Sequence, residues 1–216
     1  MWGEDPIVVL TLILYGGRVK NTTTPLSVPP AMPLPDLGGH PKRVTFNSIV
    51  TVKGHGELKI RPIQRDDEEE MIEFHGRISE ESIYMRYFEY LKLDQRTAHE
   101  RLVRICINTS ESYAIVVEQP AALPRPAAIL AVGRLTKTSK PYVVTFDTLM
   151  TDQESTPQLG KVLLKRLIKL AHAFGFQVLT GELLVADHDT LKLCRALGFS
   201  LQTLLEDGLV RVTLDL

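Results

Sequence analysis

Tryptophan occurs once and cysteine twice in the 216 residues, and aromatic side chains make up only 6% of the chain. Cys106 and Cys194 lie far apart in apolar, helix-like contexts with no C-x-x-C spacing. That excludes a disulfide framework and a zinc ribbon, and it predicts a reducing, cytoplasmic setting. The six histidines are scattered, with no H-E-x-x-H or comparable ligand set, so no metal is expected. A net charge of −1 gives no electrostatic case for nucleic acid or an anionic membrane surface. Long apolar runs are absent too. The longest, Ile7–Tyr15, is about half of the roughly 20 residues that a membrane span needs. Glu4 and Asp5 precede it where a signal peptide carries positive charge, so no membrane span is expected. A buried or partner-seeking strand is the preferred reading, which makes residues 6–15 a candidate contact for a protein partner.

What is present divides in two. Residues 1–43 form an extension holding the apolar run and a linker, TTTPLSVPPAMPLPDLGGHP, with six prolines between Thr22 and Pro41. A folded domain is expected over 44–216. SIVTVKGHGELKIRPI reads as two strands turning at Lys53-Gly54-His55-Gly56. Asp66 to Glu70 start a helix whose positive dipole end favours acids, and Ser79 caps the next. DQRTAHERLVRICIN places Leu102, Ile105 and Cys106 on one helical face with arginines around it. His75 and His99 are read as helix-surface residues satisfied by neighbours, with a proton relay as the alternative. Strand runs follow at 112–118, 127–135 and 142–150. Leu159, Leu163, Leu167, Leu170 and Phe174 then make one apolar stripe at helical spacing, ended at Gly175. Gln177–Val185 is a strand, Asp187 caps a short helix, and Glu206-Asp207-Gly208 joins two final strands. Strands and helices in this order define an α/β, or α+β, layered domain.

The start of the long helix poses the functional question. A strand that enters a helix through a short loop exposes unpaired N–H groups beside a positive dipole end, where phosphates bind. Ser155, Thr156 and Gly160 are small enough for close approach. Pro157 deletes a donor, Gln158 adds bulk, and Lys161 is either a cation for the ligand or simply solvated. From the residues alone, an ordinary capped helix is ahead.

LKIRPIQRDDEEEMIEFHGRISEESIYMRYF, AHERLVRIC, ILAVGRL, LGKVLLKRLIKLAHAFG, LKLCRALGF and LEDGLVRVTLDL shift that balance. In this order they resemble the acetyltransferase domain of the GNAT superfamily. The resemblance runs from about Val44 to Leu216 and is strongest to the C-terminal domain of bifunctional acetate–CoA ligase/protein-lysine acetyltransferases. It implies a mixed, mostly antiparallel sheet with helices on both faces and a splayed parallel strand pair, Tyr142–Met150 and Gln177–Val185. It implies acetyl-CoA as co-substrate, its pantetheine arm along Leu149, Met150 and Thr151. The pyrophosphate would lie on Ser155, Thr156, Gln158, Leu159, Gly160 and Lys161. The acceptor would be an amine, with a protein lysine as the leading candidate. The superfamily loop pattern Q/R-x-x-G-x-G/A keeps only Gly160 here. Thr145 stands where relatives carry a glutamate base, leaving Asp147 either as its substitute or as a structural group at the strand's bend. Cys194 stands where many members place a tyrosine acid, with core packing as the competing role. Asp187 occupies the place of an asparagine that touches the co-substrate, and helix capping explains it equally. These departures keep a second reading open, a catalytically degenerate module that binds a partner or senses an acyl-CoA.

Overall fold

The computed structural model describes residues 35–38, 47–122, 124, 126–204 and 208–216. The apolar run and most of the proline linker lie outside the described residues. Leu37 belongs with the domain: its side chain is buried in the core, and its N–H donates to Ser110 O.

Eight strands form one sheet in the order β1-β2-β3-β4-β5-β6-β8-β7. They are β1 (Ser48–Val52), β2 (Gly56–Pro62), β3 (Ser112–Gln119), β4 (Ala128–Lys137), β5 (Val143–Met150), β6 (Val178–Leu184), β7 (Ser200–Leu204) and β8 (Leu209–Asp215). Every pairing is antiparallel except β5 with β6. Six α-helices flank the sheet among the described residues: α1 (Glu68–Gly76), α2 (Glu80–Tyr87), α3 (Leu93–Arg96), α4 (His99–Ile105), α5 (Pro157–Ala173) and α6 (His188–Ala196).

Strand alternation sends side chains to two separate cores. Tyr113, Ile115, Val144, Phe146, Leu179 and Val212 join the apolar stripe of α5 and Cys194 of α6 on one face. Ala114, Val116 and Leu149 join Met71, Phe74, Ile83, Leu102 and Cys106 from the α1, α2 and α4 region on the other. The five stripe residues expected of α5 are all buried. Gly133 makes the helix's close approach possible: a Cβ there would lie 2.9 Å from Cδ1 of both Leu163 and Leu167.

The segment 94–108, read as helical for the face of Leu102, Ile105 and Cys106, carries two helices, α3 and α4, broken at Thr97-Ala98. Tertiary demand explains the break. Arg96 is buried, and its Nη1 donates to the carbonyls of His75 and Ile78 at the end of α1. A guanidinium thereby adds a donor to the carbonyls at and just beyond the helix end. Arg101 is buried as well, over the ring of Tyr87. His75, expected at a helix surface, is 1% exposed, and neither ring nitrogen has a partner among the described residues. His99 does fit the surface expectation, with Nδ1 on Glu68 Oε1.

Candidate functional site

Strands β5 and β6 pair over only three positions, Val143–Val178, Val144–Leu179 and Thr145–Thr180. Beyond that level, β5 runs on from Phe146 to Met150 and β6 from Gly181 to Leu184 without pairing to each other. Val178 N–H donates to Tyr142 O, whereas Thr151 N–H donates to Leu130 O on the opposite side of the strand. Backbone groups alternate in direction along a strand, so Phe146, Thr148 and Met150 present N–H and C=O toward the gap. Of the three residues expected to line a pantetheine arm, Met150 faces the gap with its backbone. Leu149 and Thr151 face β4 with theirs. At the closed end, the Phe146 ring fills the space a side chain at 181 would need, since a Cβ on Gly181 would lie 2.9 Å from Phe146 Cε1.

Helix α5 opens just past this gap. Thr156 is its N-cap: its Oγ1 accepts from Leu159 N–H at 3.2 Å, and its carbonyl accepts from Gly160 N–H. Pro157 carries no N–H, so Gln158 holds the remaining free amide of the first turn. Gly160 is buried, with a Cβ there 3.4 Å from Leu193 Cδ2 and 3.6 Å from Met150 Cε. Its smallness serves packing against Met150 and α6. Lys161 is exposed on the outer side of the helix.

The segment before the helix is held at two points. Asp152 accepts from Ser79 N–H and Ser82 Oγ at the start of α2, and Glu154 Oε2 lies 3.0 Å from His55 Nε2 in the β1–β2 turn. Partial burial disfavours the Asp152 charge, yet the bonds from Ser82 and Ser79 outweigh it and hold its pKa below the ordinary carboxylate value.

Among the expected catalytic residues, Thr145 donates its hydroxyl to Thr136 O, and Asp147 forms an ion pair with Arg86 of α2. Burial opposes the Arg86 charge, but Asp147 more than compensates, and the guanidinium pKa is raised. Cys194 is fully buried within the α5-side core, and burial pushes its thiol up to about 12. A thiol so placed packs among the core residues. Asp187 caps α6, accepting from Thr190 N–H at 3.1 Å.

Three neighbours of the gap had no place among the expected residues. Arg86 bridges α2 to β5, Asp152 anchors the loop, and Glu182 of β6 is held by Arg211 of β8 at 2.7 and 3.2 Å. Strand alternation could have flagged Glu182, because Thr180 and Glu182 share one face of β6. Nothing local signals the partner of Arg86.

A comparison with protein-family sequence profiles finds no match. Solved structures do match. The GNAT domain of S. lividans PAT aligns with a TM-score of 0.68 at 21% identity, covering 79% of this chain and 97% of that one. Mycobacterium smegmatis RimJ in complex with CoA-disulfide aligns at 0.60 with 10% identity, over 78% of this chain and 86% of that one. The structure of yncA from Salmonella typhimurium with its cofactor acetyl-CoA aligns at 0.51 with 17% identity, over 73% and 93%. The sheet order, the lone parallel pair parting after three residues and the helix that follows it are therefore those of the GNAT acetyltransferase fold.

Proposed function

We infer that the chain binds an acyl-CoA, acetyl-CoA first among them, in the β5/β6 gap and passes its acyl group to an amine. The observation that carries this reading is the divergence itself. A parallel pair that stops after Thr145 and Thr180 leaves the backbone of Phe146, Thr148 and Met150 unpaired on the β6 side, and an extended amide-bearing arm satisfies such groups as a third strand would. The residues present fit that arm better than they fit its phosphates. At the start of α5, one amide, Gln158 N–H, and Lys161 are the groups on offer.

In this reading the gap-facing N–H groups of Phe146, Thr148 or Met150 steady the negative charge that develops on the thioester oxygen during attack. The amine attacks the carbonyl directly, the thiolate leaves, and the proton from the amine ends on sulfur or solvent. Asp147 serves as a positioning group locked to Arg86 rather than as a free base. Arg86–Asp147 fixes α2 over β5, and Asp152 fixes its other end to the loop. The S. lividans protein acetyltransferase supports a protein lysine as acceptor.

Calorimetry with acetyl-CoA, joined to mass-spectrometric detection of acylated amine, tests the reading. Micromolar to submillimolar binding with turnover is expected; no binding at millimolar ligand overturns it. The buried Cys194, the engaged Asp147 and the sparse donors of α5 favour a second reading, an acyl-CoA-binding module without turnover. Binding without acylation of any primary amine would select it.

A further inference from the structure

The sheet register sets two polar rows across the place where β5 and β6 part. Ladder partners project from the same face. On the face toward α2, Thr136, Thr145, Thr180 and Thr213 stand side by side on β4, β5, β6 and β8. Two residues onward along β5 and β6 comes a charged row: Arg134 beside Asp147, then the gap, then Glu182 beside Arg211. All eight side chains are half-buried, and the opposite face of these strands is closed by Val144, Phe146, Leu179 and Val212.

The order of charge is plus, minus, gap, minus, plus. Each strand interval is about 4.8 Å, so the two carboxylates flank the gap and the arginines of β4 and β8 lie one strand farther out. Coulomb energy falls with distance, so a cation in the gap feels the nearer carboxylates more than the arginines. Arg211 nevertheless pairs directly with Glu182 at 2.7 Å and offsets part of its charge. Arg134 is in addition engaged away from the gap, on Ser112 Oγ and Ile105 O. Arg86 meets Asp147 from α2 and offsets its charge. Glu182 is different: both bonds from Arg211 arrive from the β8 side and end on Oε1, leaving Oε2 without a described partner.

We propose that Glu182 is the residue that selects a protonated primary amine as acceptor, holding its ammonium at the mouth of the gap with Thr180 and Thr145 behind it. The ammonium releases one proton to solvent before its nitrogen attacks, and the second proton follows the thiolate or goes to solvent. This rests on the acyl-transfer reading above and adds the acceptor's charge and the side chain that recognises it. A carboxylate half-buried beside the thioester site favours a cation and repels an acceptor that carries a carboxylate near its amine.

The test begins without any acyl donor. Titrating n-butylamine into the whole protein at pH 7 is expected to shift the backbone amide NMR signals of Thr145–Asp147 and Thr180–Glu182, whereas n-butanol leaves them in place. In Glu182→Gln the apparent affinity should fall about five- to tenfold, the range of a charge-assisted bond discounted for exposure. The glutamine amide oxygen still accepts from Arg211, so the variant is expected to fold, which its NMR spectrum reports. In turnover, the same change should raise KM for n-butylamine by a similar factor, falling on KM more than kcat, and leave KM for an arylamine, neutral at pH 7, unchanged. Absent shifts, an unaltered affinity in the variant, or equal effects on both amines would overturn the proposal. Acetyl-CoA calorimetry on the same sample reports separately on the acyl-transfer reading.

Discussion

His75 and Pro157 are single residues whose surroundings have measurable consequences. Burial above all, with Arg101 and Arg96 adding to it, lowers the His75 pKa to about 3, so the folded protein keeps this imidazole neutral. The unfolded chain takes up its proton near the ordinary value of about 6.5. The folded pKa is the lower one, so the stability in question is fully present above pH 6.5 and is lost as pH falls toward 3. Between pH 7 and pH 5 the loss is about 2 kcal/mol. Urea midpoints of His75→Phe, measured at both pH values against the parent, should show this increment removed. At Pro157 the prediction concerns ligand. Alanine restores one N–H to the mouth of α5, and if phosphates lie there, acetyl-CoA should bind about tenfold tighter by calorimetry. Unchanged affinity would place the phosphates elsewhere. Cys194 shows the limit of residue-level inference: its side chain could serve a reaction or a core, and only the structure shows it buried in the core.

Among the elements, α5 is the one that its own sequence specifies best. Thr156, Pro157 and the leucine stripe fix its start and its inner face, and the structure follows them from Pro157 to Ala173. Removing the cap by Thr156→Ala should lower stability by about 1 kcal/mol. Gly133→Ala should lower it by about 1–3 kcal/mol, because the new methyl meets two leucines of α5. Chemical denaturation of the two variants checks both. The α3–α4 break was not legible. Leu102, Ile105 and Cys106 on one face, with arginines around it, satisfy a helix locally, but Arg96 must turn inward to reach the end of α1. That requirement comes from His75, 21 positions upstream, not from any neighbour in sequence.

For the whole molecule, the sheet with its two unlike faces organises the candidate site. One face of β5, β6 and β8 is apolar and carries α5; the other bears the threonine and charge rows beneath α2. An acyl-CoA held between β5 and β6 binds the folded sheet only, so acetyl-CoA at about 100 times its Kd should stabilise the protein by about 2.7 kcal/mol. A rise in Tm with acetyl-CoA, absent with free acetate, checks this. The sequence alone determined the strands, most of the helices and their order, because hydrophobic period, caps and turn glycines are local signals. It also placed Thr145, Asp147 and the α5 start near one another through family likeness. Only the tertiary structure decided what these groups meet. Asp147 met Arg86 across 61 positions, Cys194 turned to the core, and Glu182 came level with Asp147 through strand pairing. The physical reason is that a side chain's charge and reach are written in its own residue, whereas its partner and its burial depend on contacts between segments far apart in the chain.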